Sequence, residues 1–295
     1  MKNFSLKSFI AAILICGSIL NLSAETTLQT VDFETANSGY TVLYGQTTSP
    51  DDWWERAAPA QIAPMDPFSG YQGSYFFYAE DTDNGRTADD PCYVTLNQIN
   101  VAGYTNIKIK LLVAGKNNIG SSLELEEYLR IQYSVDGGAF TTFMQYMTPA
   151  LNAIYYSEDT DLNGSGNGTA LSPAFAEFTY NIPVTGSTLQ IRFMGNVDQG
   201  NEEYAFDYVR ILGTEQVLPP GTPENITIVY SSSLPEFTWS AAANATSYKI
   251  YSAPDPYAVF PAGWTLEASG ITATSWTDTN ASASAKKFYV VVAVN

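Results

Sequence analysis

Short runs in which apolar and polar residues alternate, separated by turn-forming residues, constrain this chain more than any other feature. The run Leu129–Val135 alternates and leads directly into Asp136-Gly137-Gly138, a strong hairpin signal. Another run, Ile107–Val113, begins by alternating and then becomes continuously apolar, as a strand does when it passes from an exposed face into a core. Because strands recur without long helical intervals, we predict an all-β fold built from β-sandwiches.

Residues 1–24 have the form of a secretory signal peptide. Lys2 and Lys7 supply the positive start, Phe9–Leu22 is mostly apolar, and Ala24 is the small residue expected before the cleavage point. The apolar stretch is too short and too interrupted to span a bilayer core of about 30 Å. We therefore predict a secreted or cell-surface protein that does not insert into the membrane after signal cleavage.

Composition narrows the possible chemistry. Without the signal peptide, Cys92 is the only cysteine, so no disulfide can form within the chain, and stability must come from core burial and bound metal. The formal charge of −17 repels nucleic acid and attracts cations. The sequence has no histidine, the commonest general base and transition-metal ligand. We predict that the protein is not an enzyme and binds no nucleic acid.

A segment rich in proline and glycine divides the mature chain. Residues 216–223 contain Pro219, Pro220 and Pro223 together with Gly221, a composition typical of a short, stiff linker. We predict one β-sandwich domain at residues 25–215 and a second at residues 224–295.

The second domain resembles a fibronectin type III domain. The motifs that carry the resemblance are a strand ending in Trp239 and the segments Ala245–Tyr251, Thr274–Asp278 and Phe288–Asn295. The resemblance implies an immunoglobulin-like β-sandwich with Trp239 in its core and Tyr289 anchoring a corner. The last strand of the family's pattern would follow Asn295, so we expect this domain to lack that strand and the chain to continue or to pair with another strand there.

The first domain is similar to the calcium-containing jelly-roll modules of secreted bacterial multidomain proteins. The matching segments are Val31–Glu34, Tyr75–Asp83, Ala102–Asn106, Tyr133–Gly138, Gly164–Leu171 and Ala205–Val209. The resemblance implies a jelly-roll β-sandwich in which the first and last strands are neighbours. It also implies a structural calcium site formed by Glu34 and Asp207, with help from Glu202 or Glu203. The alternative is two surface carboxylates that never meet.

A calcium-loop motif lies in the middle of the first domain. The segment Asp159-Thr160-Asp161-Leu162-Asn163-Gly164 matches the opening D-x-[DN]-x-[DN]-G of such a loop, in which alternate oxygens converge on one hard cation. The twelfth position is Ala170 instead of the bidentate glutamate, which excludes a complete EF-hand. Asp159, Asp161 and Asn163 are therefore either calcium ligands or part of a polar surface turn.

A second acidic cluster, Glu80-Asp81-Thr82-Asp83, precedes a glycine. Carboxylates this close repel one another unless a cation neutralises them, so Asp81 and Asp83 are candidate calcium ligands. The alternative is a solvated acidic loop.

These observations favour a non-catalytic binding or adhesion protein that is stabilised by calcium and binds an extracellular protein or glycan. The alternative is a carbohydrate-binding module, either on its own or as part of a larger glycan-active enzyme. Exposed aromatic rings stack on sugars, and the adjacent Trp53 and Trp54 are the candidates. Neighbouring residues of a strand point to opposite faces, so one of the two rings could be exposed and the other buried.

Overall fold

The computed structural model describes residues 24–43, 52–62, 68–82, 92–117, 123–200, 202–231, 234–281 and 287–295. The chain divides into two compact units, which we call the N-terminal unit (Ser23–Gln216) and the C-terminal unit (Val217–Asn295). The predicted signal peptide, apart from Ala24, and the candidate ligand Asp83 lie outside the described residues. Within the described part of the chain, no helix is long and apolar enough to cross a membrane.

The described residues of the N-terminal unit form thirteen strands and one short helix. They are β1 (Glu25–Val31), β2 (Tyr40–Leu43), β3 (Trp53–Ala57), α1 (Pro59–Ile62), β4 (Phe76–Glu80), β5 (Cys92–Leu96), β6 (Ile99–Asn100), β7 (Tyr104–Asn117), β8 (Tyr128–Val135), β9 (Thr141–Met147), β10 (Ser157–Asp159), β11 (Ala176–Asn181), β12 (Thr188–Asn196) and β13 (Glu202–Glu215). The hairpin predicted at Asp136 is the β8–β9 connection.

These strands form two antiparallel sheets. The six-stranded sheet has the order β11-β7-β13-β4-β3, with β1 also paired to β13, and the seven-stranded sheet has the order β10-β9-β8-β12-β5-β2, with β6 also paired to β12. Buried side chains from both sheets form one hydrophobic core, which includes Phe206 of β13 and Phe193 of β12, stacked with ring centroids 4.3 Å apart. Alternation along each strand directs one face of each sheet into this core.

The C-terminal unit contains β14 (Glu224–Ser231), β15 (Leu234–Ser240), β16 (Ser247–Ala253), β17 (Thr265–Ile271), β18 (Ser275–Thr277) and β19 (Phe288–Val294). Two three-stranded sheets, β14-β15-β18 and β17-β16-β19, contribute to a shared core that contains the predicted Trp239. In the described residues β19 pairs with β16 alone. The Tyr289 side chain donates a hydrogen bond of 2.8 Å to the carboxylate of Asp278.

The structure confirms the predicted fold class, an all-β chain of β-sandwiches. Every ladder in these sheets is antiparallel.

Candidate metal centres

The pairing of β13 with β1 and β4 brings Glu34 and Asp207 close to each other. Along one side of β13, the β4 ladder ends with Phe206 opposite Phe77, and the β1 ladder ends with Val209 opposite Val31. Asp207 therefore lies at the gap where β1 and β4 meet along the same strand. The first and last strands of the unit are neighbours, as the resemblance to jelly-roll modules implied.

Glu34 and Asp207 both bind the turn that leads into β4. The Glu34 Oε1 atom accepts hydrogen bonds from the N–H groups of Ser74 at 2.8 Å and Tyr75 at 2.9 Å. The Asp207 Oδ2 atom accepts one from the Gln72 N–H at 2.7 Å. Two carboxylates far apart in the chain thus converge on four consecutive residues, which makes them neighbours in space.

Asp207 is completely buried, and the charged groups that affect its ionisation are negative. Burial raises the pKa of Asp207 to about 7, with the charges of Glu34 and Asp32 acting in the same direction. Hydrogen bonds from the N–H groups of Gln72 and Tyr208 act in the opposite direction and do not cancel this effect. A bound cation would reverse the balance by favouring the ionised carboxylate.

The backbone around these carboxylates adopts sparsely populated conformations. Phe33, next to Glu34, has a φ of 58°, and Tyr208, next to Asp207, has a φ of 44°. Left-handed conformations of bulky residues are unfavourable and persist where the surrounding structure holds them, often at functional sites. Gly73, with a φ of 75°, lies so close that a side chain there would overlap the Glu34 carboxylate.

The calcium-loop motif begins at Asp159, whose carboxylate is buried and already surrounded by donors. It accepts hydrogen bonds from Gln145 Nε2 at 2.6 Å, from the Gly164 N–H at 2.8 Å and from the Asn163 N–H at 3.2 Å. Burial opposes ionisation, but these bonds hold the pKa of Asp159 below its ordinary value. Both carboxylate oxygens of Asp159 therefore already accept hydrogen bonds from the protein.

The rest of that motif is also closed by internal hydrogen bonds. Asp161 accepts from the side-chain amides of Asn163 at 3.0 Å and Asn167 at 2.8 Å, and Asn167 Oδ1 accepts from the N–H of Thr160 at 2.9 Å. This geometry matches the second interpretation of the sequence, a polar surface turn. It favours that interpretation over calcium binding by Asp159, Asp161 and Asn163.

The second acidic cluster is described only in part. Glu80 is buried at the end of β4 and accepts a hydrogen bond of 2.9 Å from the Tyr78 hydroxyl. Asp81 follows it with a φ of 42°. Asp83 lies outside the described residues, so calcium binding by Asp81 and Asp83 stays a prediction.

Trp53 and Trp54 occupy opposite faces of β3. Trp54 is 0% exposed and packs in the core against Phe77 and Phe206, so it cannot stack on a sugar, which corrects its assignment as a candidate ligand-binding residue. Trp53 is partly exposed and contacts Tyr78 edge to face. Only Trp53 of the pair remains accessible to a ligand.

The structure also forms an acidic cluster that the sequence analysis did not identify. One carboxylate oxygen from each of Glu124, Glu127, Asp198 and Glu202 lies within 4.8 Å of the others. The resemblance implied that Glu202 or Glu203 helps Glu34 and Asp207 to bind calcium. The structure instead groups Glu202, at the start of β13, with Glu127. The Glu-x-x-Glu spacing of residues 124 and 127 was the one local signal, and it is too common to have indicated a site.

Comparisons with known proteins identify no family. No protein-family model and no curated protein matches the chain. Among solved structures, the K1 adhesin domain of Lys-gingipain from Porphyromonas gingivalis W83 is 16% identical, with a TM-score of 0.37 over 63% of this chain and 97% of that one. The corresponding K3 domain is 13% identical, with a TM-score of 0.36 over 64% and 99%. A cyclase from Fischerella sp. TAU is 14% identical, with a TM-score of 0.38 over 65% and 98%. Similarities this low in identity and TM-score assign no function to this chain.

Proposed function

We propose that this chain is a secreted, non-catalytic binding protein whose N-terminal β-sandwich is stabilised by calcium at Glu34 and Asp207. The observation that carries the proposal is the environment of Asp207. A buried carboxylate with acidic neighbours costs free energy unless it is protonated or neutralised by a cation. A bound cation would offset this cost and would lower the pKa of Asp207, so that the carboxylate is ionised at neutral pH.

Calcium is the cation best suited to the site. The candidate ligands are carboxylate oxygens, which hard cations prefer, and extracellular modules bind calcium with dissociation constants of roughly 10⁻⁴ to 10⁻³ M. Such affinities suit a protein outside the cell, in agreement with the predicted signal peptide. A bound ion would also join β1, β13 and the turn before β4, a function that a disulfide often serves in exported domains.

A binding role is supported by apolar side chains that the C-terminal unit holds at its surface. On β14, Val229 is 58% exposed and Tyr230 is 74% exposed, and in the segment between β16 and β17, Tyr257 and Val259 are 87% and 76% exposed. Large exposed apolar groups are typical of contacts with other macromolecules. These side chains favour an extracellular protein as the partner.

Carbohydrate binding remains the alternative function, and it now depends on Trp53. A glycan array probed with the full chain and with Trp53→Ala would test it. Specific glycan binding that is lost in the variant would support the carbohydrate hypothesis. An array on which the full chain binds no glycan would contradict it.

The main proposal is tested by thermal unfolding of the full chain in millimolar calcium and in chelator. Calcium at about 100 times its dissociation constant stabilises a protein by roughly 2.7 kcal/mol, so we expect a clear rise in melting temperature. Asp207→Asn should reduce that rise. The matched control is Asp161→Asn, which makes the same change in the internally bonded turn and should preserve it. Identical wild-type melting curves with and without calcium would contradict the proposal.

A further inference from the structure

A cavity of about 400 Å³ opens next to the acidic cluster of the N-terminal unit. Its lining includes Glu124, Leu125, Glu127, Leu151, Asn196 and Asp198. Glu127 is 1% exposed, whereas Asp198 is exposed to solvent, so the cluster extends from the protein interior to the surface. Glu202, which belongs to the cluster, is 0% exposed.

Within the part of the chain that the structure describes, two of the four carboxylates are buried with oxygens that have no hydrogen-bond partner. Both side-chain oxygens of Glu202 lack one, and so does Oε1 of Glu127. The second oxygen of Glu127 accepts a hydrogen bond of 3.0 Å from the Glu124 N–H. Buried polar atoms are almost always satisfied, and each exception requires an explanation. Here the unsatisfied oxygens belong to residues whose carboxylates converge within 4.8 Å, which is how metal ligands are arranged.

We propose that Glu124, Glu127, Asp198 and Glu202 form a second divalent-cation site, independent of Glu34 and Asp207, and that its natural occupant is calcium. Oxygens bound at 2.3 to 2.6 Å on opposite sides of Ca²⁺ are about 4.6 to 5.2 Å apart, a span that accommodates this cluster. Magnesium, at about 2.0 to 2.1 Å, would require the carboxylates to contract around it.

The electrostatics of the cluster agree with this assignment. Burial, followed by the adjacent carboxyl of Glu127 and the charges of Glu124 and Asp198, raises the pKa of Glu202 to about 10. Burial likewise raises the pKa of Glu127 to about 7. Four carboxylates held this close without a positive charge repel one another, and a divalent ion converts that repulsion into attraction.

The bound ion would add a link between segments that already meet where the end of β12 pairs with the start of β8. Glu124 and Glu127 belong to the turn before β8, Asp198 follows β12, and Glu202 begins β13. Side-chain contacts between these segments include Gln199 Nε2, which lies 3.4 Å from Glu124 Oε1, and Asn196 Nδ2, which donates a hydrogen bond of 3.2 Å to the carbonyl oxygen of Glu126. Calcium at this position would fix the two loops against the start of β13.

The experiment is a calorimetric titration of Ca²⁺ into the chelator-treated full chain, with melting curves of each variant in calcium and in chelator. Glu202→Gln should weaken the affinity for one of the bound Ca²⁺ ions by about 10-fold or more, because it removes a charged ligand. Glu124→Gln, at the more exposed edge of the cluster, should weaken the affinity for the same ion and disturbs the core less. The matched control is Glu126→Gln, which removes the same charge from an exposed residue of the cavity lining and should leave binding unchanged.

The melting curves separate a ligand from a merely structural residue. In chelator, Glu202→Gln should melt close to the wild-type temperature, because without a cation the Glu202 carboxyl is protonated and the substitution replaces one neutral group by another, whereas in calcium the variant should melt below the wild type. Equal calcium binding by Glu202→Gln and wild type, or an equal loss in Glu126→Gln, would overturn the proposal. Asp207→Asn should leave Ca²⁺ binding at the Glu202 cluster unchanged. A loss of binding at one of the two proposed sites is therefore distinguishable from a loss at the other.

Discussion

The main-chain N–H of Gln72 donates a hydrogen bond of 2.7 Å to Oδ2 of Asp207, across 135 positions of the sequence. The turn that contains Gln72 also donates two N–H groups to Glu34, so it holds both carboxylates of the proposed calcium site. The shape of this turn should therefore control calcium affinity as well as stability.

Gly73→Ala tests that coupling. The new methyl group would meet the Glu34 carboxylate and would force alanine to a φ near 75°, so we expect a loss of at least about 2 kcal/mol from strain and overpacking together, and weaker calcium binding. Chemical denaturation and calcium titration measure the two effects. The control is Gly103→Ala, where φ is 82° and no atom lies within 4 Å of the added carbon. It should cost about 1 to 2 kcal/mol and leave calcium affinity unchanged. Equal effects of the two substitutions on calcium binding would contradict this account.

The turn at residues 159–167 should be stabilised by its own hydrogen bonds and not by calcium. Asn167→Ala removes the acceptor for Thr160 and the donor to Asp161, so we expect a loss of about 1 to 2 kcal/mol. The measurement is the melting temperature relative to wild type, in calcium and in chelator. The difference should be the same in both. A difference that appears only in calcium would show that this turn is a calcium site after all.

Trp53 and Trp54 should differ sharply on substitution. Trp54→Ala empties a fully buried position between Phe77 and Phe206 and should cost about 3 to 5 kcal/mol. Trp53→Ala should cost considerably less, because the side chain is partly exposed. Urea unfolding of both variants measures the contrast, and similar costs would place Trp53 in the core as well.

The C-terminal unit contains an acid-sensitive contact between Asp278, Lys287 and Tyr289. Burial opposes ionisation of Asp278, but hydrogen bonds from the Tyr289 hydroxyl, the Lys287 ammonium group and the Asn280 N–H hold its pKa below the ordinary value. A carboxyl whose folded pKa is lowered contributes stability above its unfolded pKa, about 3.9, and loses it as the pH falls through the folded value. We therefore expect this contribution to disappear below about pH 4.

This contact is tested by measuring the free energy of unfolding as a function of pH for Tyr289→Phe and Asp278→Asn. Tyr289→Phe should cost about 1 to 3 kcal/mol at pH 7, as expected for a hydrogen bond to a charged group, and much less at pH 3. Asp278→Asn should flatten the loss of stability below pH 4. A cost of Tyr289→Phe that does not change with pH would show that the Asp278 charge is not involved.

The sequence alone determined the fold class. Period-two alternation, the Asp136-Gly137-Gly138 turn and the absence of long helical segments are local properties, and local properties decide whether a segment becomes a strand. The burial of Trp239 was implied by the resemblance to a fibronectin type III domain, and burial alternates along β15 in the structure.

Tertiary structure decided which side chains meet and which face is buried. Alternation placed Trp53 and Trp54 on opposite faces, but only the pairing of β3 with β4 determined that Trp54 faces the core. The Asp159 motif has the same sequence whether it binds calcium or closes on itself, and the hydrogen bonds from Gln145 and Asn167 favour the closed turn. Glu202 and Glu127 converge because β12 and β13 bring distant loops together. Ladder register and burial depend on the whole chain, so the local pattern cannot encode them.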